Sequence, residues 1–225
     1  MLEVVLDTET TGLSTKENHR IVEIGCVELN DQIATGNVFH TYINPQRQVS
    51  EDAYKVHGYS DKFLADKKTF PEIAEKFLNF IKNKKIIIHN APFDLSFLNF
   101  ELKLAKMNNL EQENIIDTLV LAREKYPGAQ NSLDALCKRF NIDNSKRDKH
   151  SALVDCELLK EIYINLVGQK EPKLNLKHNE FLDEKKEDHV VEINRKSRKI
   201  IKPNNEELKE HKKFLNAFLK NNFFV

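Results

Sequence analysis

The sequence predicts an α/β domain, a mixed sheet flanked by helices, followed by a charged linker and a short amphipathic helix. Two observations carry this. Up to Gly168, short apolar runs rich in β-branched residues alternate with longer segments of helical period, the pattern of strands and helices packed in layers. Beyond Gly168, charge replaces that pattern. With 225 residues the chain is long enough for one sizeable core and too short for a second large domain.

Residues 2–6 form a short apolar run rich in valine, "IVEIGCVEL" (21–29) partly alternates, and "NVFHTYI" (37–43) follows polar turn residues; these read as three strands. Thr69 is an N-cap for a helix that places Phe70, Ile73, Ala74, Phe77, Leu78 and Ile81 at helical spacing. "KIIIHN" (85–90) supplies another strand, and from Phe93 "FDLSFLNFELKLAK" is helical by period. "NIID" (114–117) is a fifth strand, "DTLVLAREKY" and "SLDALCKRF" are further helices, and the helix 151–167 completes a folded domain at residues 1–168.

Residues 169–202 have the composition of a linker, highly charged with few aromatics, as in "EKKEDHVVEINRKSRKIIKPNN". Residues 203–225 recover helical character. Asn205 is an N-cap candidate, acids occupy the first turn, and Leu208, Phe214, Leu215, Phe218 and Leu219 fall near one face. Such a segment either docks on a partner or folds back on its own domain, and pattern alone leaves both open.

Lys+Arg and Asp+Glu are equal at 35 each, so net charge gives no long-range pull on a polyanion, and such a partner has to be held locally. Cys26, Cys137 and Cys156 show no ligand spacing, which argues against a disulfide framework or zinc site and for a reducing cytoplasm. The chain opens without a basic leader and has no apolar run near the ~20 residues needed to span a bilayer, so neither secretion nor a membrane association is expected.

The stretch "LDTETTG" is the most informative. Residues i and i+2 of a strand point to one face, so Asp7 and Glu9 project together beyond the strand end. Two like charges held close call for a cation, and hard oxygen ligands suit Mg²⁺ or Mn²⁺. The plainer alternative is an exposed turn in which Asp7 caps the next element and Glu9 is solvated. Asp94 falls in a first helical turn after His89-Asn90, Asp117 follows the fifth strand, and His150 precedes a helix that carries Asp155 one turn inside. Each acid has a plain role available, since a first-turn Asp gains up to ~1 kcal/mol from the helix dipole. Asn90 either orients Asp94 or caps the helix.

Taken jointly, "VLDTETTG", "IVEIGCVEL", "VHG", "IIIHNAPFD", "NSLDALCKRF", "IDNSKR" and "HSALVDCELL" resemble the DEDD exonucleases, in the subgroup whose fifth residue is histidine. Relatives with tyrosine space it as Tyr-x3-Asp; that position is Ser151 here, so the histidine subgroup holds. The likeness covers Leu2 to about Gly168 and is greatest to the proofreading subunits of bacterial replicative polymerases. It implies a ribonuclease H-like fold and removal of nucleoside 5′-monophosphates from a DNA 3′ end. By this resemblance Asp7, Glu9, Asp94 and Asp155 hold two Mg²⁺ or Mn²⁺ ions, Asp7 bridging them. His150 is the general base, on a loop that orders with substrate and both metals. Backbone contacts from Thr8, Glu9 and Thr10 would hold the terminal nucleotide, with Val56, His57 and Phe93 lining its base and sugar. The plainer roles are core packing for Val56 and Phe93 and a turn before Gly58 for His57.

The resemblance also implies partners. The tail would tether the chain to the polymerase catalytic alpha subunit, "EPKLNL" (171–176) stands where a sliding-clamp peptide is expected although Glu171 replaces the usual glutamine, and a small theta-like subunit is a further candidate. Two other functions compete. One is a 3′-5′ exoribonuclease of the same superfamily, since metal and phosphate chemistry do not distinguish the sugars. The other is a non-catalytic polymerase accessory subunit.

Overall fold

The buried run "LEVVLDTET" makes a single strand, β1 (Leu2–Thr10), on which the rest of the first unit is assembled. The computed structural model describes residues 1–145, 147, 149–168 and 203–218, without the side chains of 216–218. The chain divides into two units, Met1–Asn175 and Leu176–Val225.

In the first unit β2 (Ile21–Asn30) and β3 (Ile33–Tyr42) run antiparallel beside β1. They are joined by a tight turn in which Asp31 and Gln32 both have positive φ, the geometry whose twist matches the flanking strands. β4 (Lys85–Ile88) and β5 (Ile115–Asp117) lie parallel on the other side, giving a five-stranded sheet in the order β3-β2-β1-β4-β5. Helices α1 (Glu51–His57), α2 (Asp61–Leu64) and α3 (Phe70–Ile81) precede β4. The α4 helix (Ala91–Leu104) joins β4 to β5, and α5 (Thr118–Lys125), α6 (Leu133–Phe140) and α7 (Ala152–Val167) follow. The mixed sheet flanked by helices is the fold expected from the sequence.

Alternate residues of the strands divide the core in two. Val4 and Leu6 join Phe70, Phe77 and Phe97 of α3 and α4 on one face, whereas Val5, Val27 and Ile87 join Leu159, Ile162 and Tyr163 of α7 on the other. Local signals start the helices. A reciprocal capping box between Thr69 and Glu72 opens α3.

Several boundaries differ from the expected ones. β1 continues past residue 6 to Thr10, because Asp7 and Glu9 pair opposite Gly25 and Glu23 of β2. The strand does end on its other edge, where the register with β4 runs only from Glu3 to Val5. Asp7 and Glu9 therefore lie inside the antiparallel pair and past the parallel one. β3 starts at Ile33 rather than 37, and α4 runs from Ala91, two residues ahead of the helical run read from Phe93, with Pro92 and Asp94 in its first turn. α1 and α2, opened by Ser50 and Ser60, went unread because they are short and carry little apolar period. Asn90 does not cap α4 with its side chain; Asp117 of β5 accepts the N–H groups of Asn90 and Ala91 at 3.1 Å each.

In the second unit α8 (Asn205–Phe218) is opened by Asn204, not Asn205: its side chain accepts from Glu207 N at 2.8 Å and the Glu207 carboxylate accepts from Asn204 N at 2.9 Å. The linker 169–202 with its 171–176 peptide, and Leu219 to residue 225, lie outside the described residues.

The first turn of α7 rests directly on Gly25, where an added Cβ would come within 2.5 Å of the Ala152 carbonyl carbon and 2.6 Å of Leu153 N. Gly25→Ala is expected to push α7 off β2 and destabilise the unit by about 2 kcal/mol in urea unfolding, the usual cost of overpacking. An unchanged midpoint would show that α7 yields freely there.

Candidate active site

The alternation along β1 sends its polar side chains to two helices. Thr8 faces α4, and its N–H and hydroxyl both donate to Asp94 Oδ1, at 3.1 and 2.7 Å. Asp7 and Glu9 point to the opposite face, where α7 brings Asp155 one turn inside its N-terminus. His150 lies just ahead of α7, half-exposed, with its N–H donating to the Val56 carbonyl at 3.2 Å and its Nδ1 3.4 Å from Asp155 Oδ2. Asp7, Thr8, Glu9, Asp94, His150 and Asp155 all line one cavity of about 280 Å³.

Crowding has electrostatic consequences. Burial, then Asp94 and Glu9, push the Asp7 carboxyl well above its ordinary value. Burial, then the charges of Asp155 and Glu23, raise Glu9 to about 8. Burial also raises Asp94, to about 7, against the pull of the Thr8 hydrogen bonds. Asp155 differs: burial pushes it up, but the neighbouring His150 and Arg147 side chains prevail and hold it below the ordinary range.

A divalent cation fits this donor set. The carboxylates are hard oxygen donors whose mutual repulsion a cation relieves, and donor atoms of Glu9, His150 and Asp155 lie within 4.8 Å of one another. Asp7 and Asp94 complete the set from the same cavity.

A second cavity, of about 560 Å³, adjoins the acids. Thr8, Glu9 and Thr10 of β1, Val56 and His57 of α1, and Phe93 of α4 all line it, and Thr8, Glu9 and Phe93 line both. Val56 is exposed rather than packed in the core, and His57, ring-stacked on Tyr59 at 4.8 Å, accepts the Tyr59 N–H at Nδ1. The wall needs a glycine: a Cβ on Gly12 would fall within 2.3 Å of the His19 ring, which is itself held at 2.9 Å by the Thr11 hydroxyl.

Two participants escaped the sequence reading. Glu23 of β2 is fully buried and accepts from His40, Tyr59, Ser151 Oγ and, at 2.9 Å, Ala152 N, so a strand carboxylate fastens the start of α7. Its signal was an acid in a largely apolar strand, one it shares with Glu28. Arg147 spans the cluster, with Nε and Nη2 donating to the two oxygens of Asp155 at 2.5 and 2.7 Å. Nothing in the local sequence distinguishes it from the neighbouring lysines and arginines.

Comparison with known proteins identifies the family and the fold. The family pattern described as "Exonuclease" (RNase_T) matches residues 4–163. The DNA polymerase III subunit epsilon of Rickettsia felis is 48% identical over 227 residues, spanning 97% of each chain. The epsilon subunit of Escherichia coli K12 is 45% identical over 174 residues, 74% of this chain and 71% of that one. Among solved structures, exonuclease X in complex with 5′-overhanging duplex DNA superposes with a TM-score of 0.58 at 27% identity, over 73% of this chain and 90% of that one. The nuclease domain of 3′hExo, a DEDDh family member bound to rAMP, shares the fold with a TM-score of 0.65 at 20% identity, over 74% and 91% of the chains.

The raised acids make a pH prediction. Acids whose folded-state pKa exceeds the unfolded value hold more protons folded than unfolded, so with divalent ions chelated, stability is expected to fall between about pH 5 and 8. Glu9 at about 8 and Asp94 at about 7 set the upper end of that window. Asp155, held low, acts in the opposite sense, at pH values below the ordinary carboxylate range. Added Mn²⁺ is expected to raise the melting temperature by an increment that grows across the same window. A flat or reversed trend in thermal unfolding would count against the assignment.

Proposed function

The chain belongs to the exonuclease family, and from that premise we propose that it is the proofreading subunit of a bacterial replicative DNA polymerase, a metal-dependent enzyme that removes 3′-terminal nucleotides from DNA as 5′-monophosphates. The observation that carries this reading is the adjacency of the two cavities. An acidic cluster able to hold cations opens directly beside a larger pocket with an exposed valine and an aromatic ring in its wall.

Asp7, Glu9, Asp94 and Asp155 are the proposed ligands of two Mg²⁺ or Mn²⁺ ions, which would supply charge neutralisation at the attacking and leaving oxygens and an activated water. The rest is done by the chain itself. Thr8 fixes the Asp94 carboxylate with two hydrogen bonds, and α7 fixes Asp155. His150 sits on the open side of the cluster, where an imidazole nitrogen takes the proton of the attacking water. In the larger pocket the backbone of Thr8, Glu9 and Thr10 receives the terminal nucleotide, and Val56, His57 and Phe93 lie against its base and sugar.

The tail is assigned the tethering role. Residues 203–225, with exposed Leu208 and Phe214 on α8, bind the polymerase alpha subunit, and the linker keeps the nuclease near a primer end at high effective concentration. The likeness to the Rickettsia felis subunit extends through the tail, which supports a shared attachment. Residues 171–176 are the candidate sliding-clamp peptide, and a theta-like subunit is a further candidate partner. Among the described residues no helix is long and apolar enough to cross a membrane, in keeping with a proposed place in the cytoplasm.

The deciding assay is degradation of 5′-labelled single-stranded DNA and matched RNA with Mg²⁺ or Mn²⁺ and an EDTA control. A metal-dependent ladder growing from the DNA 3′ end, faster than on RNA, is expected. Faster RNA cleavage would instead identify a ribonuclease. Asp7→Ala and Asp155→Ala are expected to abolish turnover without unfolding the chain, and His150→Ala to lower it by about 10²- to 10⁴-fold. Deleting residues 203–225 should leave hydrolysis of free DNA intact and abolish co-purification with the polymerase alpha subunit; retained co-purification would refute the tether.

A further inference from the structure

We propose that Arg147 is a built-in stand-in cation that occupies Asp155 and His150 together and must give up both when a divalent ion binds Asp155. The inference rests on the reading of Asp155 as a metal ligand and His150 as the general base.

The geometry around the guanidinium is specific. Nε and Nη2 form a fork on the two oxygens of Asp155, at 2.5 and 2.7 Å, so both carboxylate oxygens are engaged. The same Nη2 lies 2.7 Å from His150 Nδ1. A guanidinium has no lone pair, so Nδ1 is the acceptor in this contact and the neutral ring carries its proton on Nε2. While the contact lasts, Nδ1 has no lone pair left to accept a proton from water. One side chain thus closes both a ligand and the base.

The site also provides for its departure. Nη1 donates to Asp134 Oδ1 of α6 at 2.7 Å, and Asp134 is exposed whereas the Asp155 side chain is only 6% accessible. An arginine released from Asp155 therefore keeps a charged partner at the rim. A divalent ion carries twice the charge of the guanidinium and meets Asp7, Glu9 and Asp94 in the same cavity, whereas none of Arg147's hydrogen bonds reaches those acids. Replacement at Asp155 is favoured for that reason, and it frees His150 Nδ1 in the same event. Metal entry and exposure of the base are coupled through one residue.

The test is a calorimetric titration of Mn²⁺ into the full chain, comparing wild type with Arg147→Met and Arg147→Lys. If Arg147 competes with the ion, Arg147→Met should bind Mn²⁺ about 10-fold more tightly, and Arg147→Lys, which keeps a charge without the fork, should fall between. A residue that merely braced the site would give the opposite result, weaker binding in both variants, and that or unchanged affinity overturns the proposal. Arg147→Gln serves in the same way if circular dichroism shows the methionine variant unfolded. Asp155→Asn separates the two readings. Loss of an Mn²⁺ site there upholds Asp155 as a ligand whatever Arg147 does, and no effect removes both readings.

Discussion

Asp7, Glu9, Asp94 and Asp155 meet at one end of the sheet although each charge opposes the others. A cluster of that kind cannot be carried on mobile loops, because repulsion would separate the groups at little cost. Here each acid is fixed by something stiffer than itself. Asp7 and Glu9 stand on β1, the central strand, where it is paired with β2; Asp94 is tied to Thr8 through two hydrogen bonds; Asp155 rides on α7, which is seated on Gly25 and fastened by Glu23. The two-sided core behind them holds the strand and both helices in register.

The cluster is also electrostatically uneven. Burial and neighbouring carboxylates raise Asp7, Glu9 and Asp94, while Asp155 alone among the four is kept low. That division follows the elements. The β1 and α4 side has hydroxyl and amide donors but no cation in hydrogen-bond contact, among the described residues, whereas the α7 side has Arg147 and His150. An incoming cation gains most where repulsion is unrelieved and has to displace an existing partner where it is not.

Much of this was legible in the sequence, for reasons that are local. Strand and helix periods gave the layer order, and Thr69 marked the start of α3. The spacing of Asp7 and Glu9 on a strand gave their shared face whether or not the strand ended before them. What could not be read depends on long-range pairing. β1 continues to Thr10 because β2 supplies Gly25 and Glu23 opposite the acids. The capping of α4 by Asp117 comes from β5, and α1 carries too little apolar period to announce itself, yet it provides Val56 and His57 to the larger pocket. Arg147 was invisible as a participant because its partners Asp134, His150 and Asp155 belong to two helices and a loop that only the fold brings together.

Sharing of residues between the two cavities has a thermodynamic consequence. Thr8, Glu9 and Phe93 line both, so the backbone proposed to receive a nucleotide includes residues whose side chains are proposed to position or hold the cations. Fixing Thr8 through its backbone also fixes the hydroxyl that orients Asp94, at 2.7 Å. Any ligand that immobilises this stretch lowers the ordering cost that remains for the other. By linkage the effect is reciprocal: whatever factor the cations add to the affinity for a 3′ end, the 3′ end adds to the affinity for cations. On the proposed assignment the pocket and the acidic cluster act as one binding unit, joined at the short stretch from Asp7 to Thr10.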